Sequence, residues 1–441
     1  MKQTIAAIFI VIVGLISGCS TQPSQQQTPQ MQPEFLAAKT ATPPDYQWVQ
    51  LGEQGAVIVR AIFKQSGQSC PSIDTVDNNG KPAPVAMALR AAAMPDNFAI
   101  TVCEATLASA DKLKSATLGG KNLTLPVKSP KRIVVVGDTG CRVASWTQQN
   151  CLDNKNVPES EGEEWLFTTT VASALNLKPD LIIHVGDYIY REAECTDPAK
   201  CGDKSVFGDK WATWEVDFFS PAKPLLETVP WVFARGNHES CDREWRGWYL
   251  FMDPHSAAKI SWTGCSKDET RSAPFHVPLD GLDLLVMDTA PEKSDLSDYQ
   301  AALQKHTGSS PAWFVTHRPL WGVGATFASR ADSQLIRAMQ AANVKFLVGG
   351  HLHSFEMIQF KDNDSPPQMI AGGGATELDD KFGQDYFDQT VNSFKKGDPD
   401  NSEYLHKFTF ALVEPQSEGW HVTVIDEDGT TEAKKFVVKN N

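Results

Sequence analysis

Five short pieces of this 441-residue chain carry side chains of the types that can hold metal ions. "GDTG" supplies Asp138, "GDYIY" Asp187 and Tyr190, "GNHE" Asn237 and His238, "VTHR" His317, and "GHLH" His351 and His353. Carboxylate and amide oxygens suit hard cations, and imidazole suits zinc, iron, manganese and nickel. Asp138, Asp187, Tyr190, Asn237, His317, His351 and His353 are too many ligands for one tetrahedral ion. They fit two ions that share a bridging group, and Asp187 is the natural bridge. Two ions about 3.5–4 Å apart can clamp a phosphoryl group and bind a hydroxide for in-line attack. Tyr190 bears on which metal is held: a phenolate is a hard anionic donor that favours a ferric ion and gives a visible charge-transfer colour. Tyr188, two residues earlier, is expected to pack.

These pieces must be positioned by what precedes them. Apolar runs stand at 133–136, 181–185, 231–234, 282–287, 312–315 and 345–349, and amphipathic stretches lie between several of them, as at 163–178 and 331–343. Unbroken hydrophobic strands separated by helices imply buried, mainly parallel strands in an α/β layered domain. Ligands in open α/β sheets bind outside the carboxyl ends of the strands. Each of the five pieces follows such a run, so five strands deliver their ligands to one edge. A glycine before the ligand lets the backbone turn sharply as it leaves the sheet. Any one piece alone is an ordinary turn; their joint occurrence carries the inference. Four of the ten histidines lie in these pieces, and His184, His255, His276, His306, His406 and His421 lack that context and are expected to be structural. Asp288 also follows a strand and is expected to cap or hydrogen-bond. "AGGGATE" (371–377) has no following Lys-Ser/Thr and is expected to turn near the rim of the site. The last strands, ending in "WHVTVIDEDGTTEAKKFVV", suit an antiparallel hairpin turning at Asp428-Gly429.

Taken in order, the five blocks resemble the calcineurin-like metallophosphoesterase superfamily, and the tyrosine of the second block resembles its purple acid phosphatase branch. The resemblance covers roughly residues 131–380. It implies a layered fold of β-sheets flanked by helices, with a dimetal site at the strand ends. Asp138, Tyr190 and His353 would hold a ferric ion. Asn237, His317 and His351 would hold a second, divalent ion (iron, zinc or manganese), and Asp187 would bridge the two. His238 would contact the substrate phosphate and protonate the leaving group, with Glu239 a candidate to orient it. Asn237, His238 and Arg318 are candidate substrate contacts, and Trp321 and Arg330 candidates for shaping the pocket. Some relatives place a further histidine after "VTHR"; this chain does not, so the leaving-group end differs. The implied activity is hydrolysis of phosphomonoesters by a metal-bound hydroxide, acid phosphatase-like. The alternatives are a phosphodiesterase or nucleotidase with the same site, or a surface binding lipoprotein with an inactive enzyme domain.

The rest of the chain sets the context. A short apolar run from Ile5 to Ile16 is too short to span a bilayer and fits a secretory signal. "ISGC" resembles a bacterial lipoprotein signal, which implies cleavage after residue 18, lipidation of Cys19 and anchoring in a bacterial envelope, in the outer membrane or facing the periplasm. Residues 19–44 form an uncharged, Gln/Pro/Ser/Thr-rich tether at their start. Residues 45–128 are expected to be a small β-rich domain, and 129–441 the catalytic domain. Apart from Cys19, eight cysteines remain. An even number in an exported chain suggests disulfides, and pairing of sequence neighbours would give Cys70–Cys103, Cys141–Cys151, Cys195–Cys201 and Cys241–Cys265. The net charge of −14 argues against a general nucleic-acid-binding surface but not against an anionic small substrate, since bound metals invert the local field.

Overall fold

The computed structural model describes residues 42–94, 96–152, 164–265, 271–291, 296–306, 308–324, 333–361 and 365–439. The apolar leader, Cys19, the tether's start and Arg330 lie outside them. Among the described residues, two large sheets carry the fold. In one, the parallel strands Ile133–Val136, Leu181–His184 and Trp231–Phe233 lie side by side, with Val135 opposite Ile183 and Ile183 opposite Val232. Thr409–Gln416, Gly419–Asp426 and Thr431–Lys439 extend it antiparallel on one side. In the other, Leu282–Val286, Ala312–Val315, Val344–Gly349 and Gln368–Ala371 run parallel, with Phe275–Leu279 as an antiparallel edge.

Strand periodicity explains how the layers stack. Ile133, Val135, Ile183 and Val185 pack with Leu284, Val286, Trp313, Val315, Phe346 and Val348 in one core between the sheets. Their neighbours Val134, Val136 and Ile182 face the opposite way, onto helix Phe167–Asn176 and the aromatics Trp214, Phe218 and Trp248. Leu285, Phe314 and Leu347 of the second sheet face helices Leu296–Lys305, Ser333–Ala341 and Gln384–Ser393. Successive strand residues point to opposite faces, so strands apolar at every position are buried on both. The order is helix, sheet, sheet, helix. The continuous apolar runs expected as parallel strands are therefore that, and their bounds agree to within a residue or two.

The stretch 45–128 differs from the expected separate domain. Tyr46–Leu51 pairs antiparallel with Val57–Phe63 and lies parallel to Trp231–Phe233, with Gln50 opposite Trp231. Thr101–Leu107 and Ala88–Leu89 continue the same sheet. Only Ser72–Asp77, Val85–Ala86, Leu113–Leu118 and Lys121–Asn122 form a sheet of their own. The physical reason is that Trp231–Phe233 would otherwise present an unpaired edge, which Tyr46–Leu51 closes. Residues Ala41–Asn441 cluster as a single unit. The four neighbour-paired disulfides are present, Cys70–Cys103, Cys141–Cys151, Cys195–Cys201 and Cys241–Cys265. Two of them close loops that leave the strand ends carrying Asp138 and Tyr190. No helix among the described residues is long and apolar enough to cross a membrane.

Candidate metal centre

Five strands end at one edge of the two sheets, and their loops fold over it. The first two loops are zipped together, with Asp138 N donating to Gly186 O at 3.0 Å and Thr139 N to Asp187 O at 3.0 Å. Asp138, Asp187 and His351 all have left-handed backbone, at φ 57°, 57° and 75°. Non-glycine residues seldom adopt it, and such strain gathers where side chains must be aimed. The glycines beside them leave room. A Cβ on Gly236 would stand 2.0 Å from Asp187 Oδ1, and one on Gly350 would stand 2.4 Å from Asp138 Oδ2.

All seven side chains singled out as candidate ligands meet here. The Tyr190 hydroxyl lies 2.9 Å from Asp138 Oδ1, 2.8 Å from Asp187 Oδ2 and 2.8 Å from His353 Nε2. On the other side of Asp187, His317 Nε2 is 3.1 Å from Oδ2 and 3.0 Å from Asn237 Oδ1. Asp187, His317 and His351 offer ligand atoms within 4.8 Å of one another. Asp187 thus faces both groups.

The histidines are oriented from behind. His317 Nδ1 sits 2.8 Å from Val185 O and His353 Nδ1 2.8 Å from Glu377 O. A carbonyl accepts only, so each Nδ1 donates to it, and each Nε2 is turned to the cluster. Burial, then the Asp187 charge, pushes the Asp138 carboxyl well above its ordinary range. Burial acts on Asp187 in the same direction, but the facing His317 and His238 hold it well below. Burial also lowers His353 to about 4, so its imidazole is neutral. Two buried carboxyl groups, a buried phenol and imidazoles turned inward crowd oxygen and nitrogen donors around one point, and that mix of donors suits metal cations.

His238 stands next to this cluster without joining it. Its ring packs on Tyr190 with centroids 3.9 Å apart, and its Nε2 is 3.9 Å from Asp187 Oδ2. Its Nδ1 is 2.9 Å from Glu192 Oε1, and Arg243 reaches the same oxygen at 3.2 Å. Glu239 does not orient His238 as expected. It is fully buried, and its carboxylate accepts from the backbone N–H groups of Asp187, Tyr188 and Gly236 at 3.1, 2.8 and 3.0 Å. Burial and the Asp187 charge raise it to about 8.

Arg318 lies at the site, half-buried, with Nη1 3.1 Å from His351 Nε2. Trp321 does not shape the pocket: it is buried in the helix-side core against Phe360. "AGGGATE" lies behind the site rather than at its rim, since Gly374 N donates to Gly137 O and Ala375 N to Asp138 O. Asp288 bonds Arg235, Ser272 N and Ala290 N, and Tyr188 is buried with its hydroxyl on Ala234 O. His184 is buried, its Nε2 2.9 Å from Thr139 Oγ1. Sequence reading missed Glu192 and Arg142, whose guanidinium lies 4.6 Å from the Tyr190 ring centroid. Each lies two residues past the end of a block already singled out, and nearness to a block was the only signal available.

A family model of the calcineurin-like phosphoesterases matches residues 131–355. No curated protein matches the chain in sequence. Among solved structures, the purple acid phosphatase PPD1 from yellow lupin (Lupinus luteus) seeds aligns with a TM-score of 0.58 at 14% identity, over 90% of this chain and 74% of its own. That is a likeness of fold. GAP50, the anchor in the inner membrane complex of Plasmodium, aligns over 71% of this chain and 89% of its own, at 14% identity and a TM-score of 0.41. The NAD nucleotidase of Haemophilus influenzae aligns over 70% and 50%, at 12% identity and a TM-score of 0.33. The last two scores are too low to transfer anything.

Proposed function

The chain belongs to the calcineurin-like phosphoesterase family, and from that premise we propose that it hydrolyses phosphomonoesters at a dimetal centre, in the manner of an acid phosphatase. Asp138, Tyr190 and His353 would hold one ion, ferric by the phenol. Asn237, His317 and His351 would hold a second, divalent ion, and Asp187 would face both. The observation that supports this most is the Tyr190 hydroxyl within 2.9 Å of Asp138, Asp187 and His353 at once. If bound, the two ions would supply positive charge to the phosphoryl oxygens and lower the pKa of bound water to about 7.

The chain's own residues do the rest. Asn237, His238 and Arg318 line the place where a phosphoryl group meets the ligand set, and Arg318 adds positive charge there. His238 presents Nε2 while Glu192 holds Nδ1, so the imidazolium can pass the Nε2 proton to the leaving alkoxide oxygen. Glu239 ties three backbone N–H groups and fixes the loops carrying Asp187 and Asn237. We place the protein in an exported, oxidising compartment, supported by its four disulfides, and anchored by lipid at Cys19. Turnover of p-nitrophenyl phosphate against bis(p-nitrophenyl) phosphate tests the substrate class. The monoester is expected to be the faster by at least tenfold in kcat/KM, and a faster diester overturns the monoesterase reading.

A further inference from the structure

Away from the strand ends, a second group of imidazole and carboxylate side chains converges. His276 comes from the edge strand Phe275–Leu279, Asp283 from its partner Leu282–Val286, and His306 from the end of helix Leu296–Lys305. In the hairpin register His276 stands opposite Leu285 and Pro278 opposite Asp283, so His276 and Asp283 are diagonal neighbours on one face. His276 Nε2 is 3.2 Å from Asp283 Oδ1, and His306 Nε2 is 3.4 Å from Oδ2. The three ligand atoms all lie within 4.8 Å of one another. Asp283 and the His306 side chain are almost fully buried, at 6% and 3% exposure. Gly308 keeps the space clear, since a Cβ there would stand 2.4 Å from Asp283 Oδ2.

A hydrogen-bonded His–Asp–His cluster would satisfy both nitrogens. Here neither Nε2 is directed into a hydrogen bond, although both atoms are buried. Ligands set tetrahedrally about 2.0–2.1 Å from zinc stand about 3.3 Å apart. His276 Nε2 stands near that distance from Oδ1 of Asp283 and His306 Nε2 from Oδ2, so a small turn of the carboxylate brings one oxygen between the two imidazoles. Two imidazoles and one carboxylate are also a donor set that zinc takes, with the remaining position left to water. The site opens into a cleft of about 680 Å³ that His276 and His306 help line together with Arg271, Tyr299 and Lys305.

We propose that His276, Asp283 and His306 form a further metal site, selective for a divalent transition ion and for zinc above all, which pins the end of helix Leu296–Lys305 to the edge of the second sheet. Its ligands come from three elements, so the bound ion cross-links them and its binding energy adds to fold stability.

The test uses the full chain stripped with chelator, reloaded with Zn²⁺ alone and desalted. Elemental analysis is expected to find about one zinc per chain more in wild type than in His276→Ala or in His306→Ala. His276 is the more exposed ligand, so its replacement leaves the core intact. Zn²⁺ should also raise the thermal midpoint of wild type more than that of His276→Ala, and phosphatase turnover of the iron-containing enzyme should be the same in both. Equal zinc content in wild type and His276→Ala overturns the site. Should His306→Ala fail to fold, His276→Ala against wild type still decides.

Discussion

His238 makes two different contacts through its two ring nitrogens, and its proposed role as proton donor rests on them. Nδ1 is taken by Glu192 at 2.9 Å, which leaves Nε2 to face the ligand cluster. Replacing His238 by Ala is expected to leave metal content unchanged and to lower kcat by about 10²–10⁴-fold, the usual range for a general acid. Unchanged turnover would remove His238 from the reaction. Burial lowers the His238 pKa, whereas Glu192 and Asp187 raise it. Glu192→Gln takes away one raising charge, so the imidazolium deprotonates at lower pH. The basic limb of the kcat profile should therefore move to lower pH, and a limb that stays put argues that Glu192 does not position the acid. Tyr190 answers a different question. Tyr190→Phe should bleach the visible band of iron-loaded protein while keeping both metal positions, and colourless wild type would make Tyr190 a mere packing residue. His276 and His306 mark the limit of residue-level reading: seven and twenty-three positions from Asp283, they form no recognisable spacing and meet only through a hairpin and a helix end.

The candidate ligand side chains reach one point because five strands end at one edge, and that convergence was legible in the chain. An apolar run followed by Gly-Asp, Gly-Asn-His, Thr-His or Gly-His-Leu-His states both where the strand stops and what it delivers. The loops that carry these residues tolerate little. Gly236→Ala would drive a methyl group into Asp187 and Glu239, at about 1–3 kcal/mol if neighbours yield. The variant is expected to lose affinity for the metal that Asp187 shares by about tenfold or more while its melting temperature falls only modestly, and full metal content at wild-type affinity would contradict the close packing. Other features were not legible. Pairing between Gln50 and Trp231 joins segments far apart in the chain, and a β-rich pattern at 45–128 fits a separate domain as well as added strands. Glu239 likewise reads as a neighbour of His238, because nothing local reveals that the turn aims its carboxylate back at three backbone N–H groups.

At the scale of the molecule, two buried sheets position the site and four disulfides staple a chain of net charge −14. That negative balance and a phosphate substrate are reconciled only if metal charge dominates locally. The proposed anchor belongs to this scale as well: Cys19→Ala should move the protein from the membrane fraction to the soluble exported fraction, and continued membrane association would sink the lipid anchor. The dimetal centre is tested most directly by metal content in catalytically competent protein, determined in the His276→Ala background so that the outer site does not add to it. The account predicts two ions per chain, one of them iron. One ion or none in protein that still turns over phosphomonoester would contradict it.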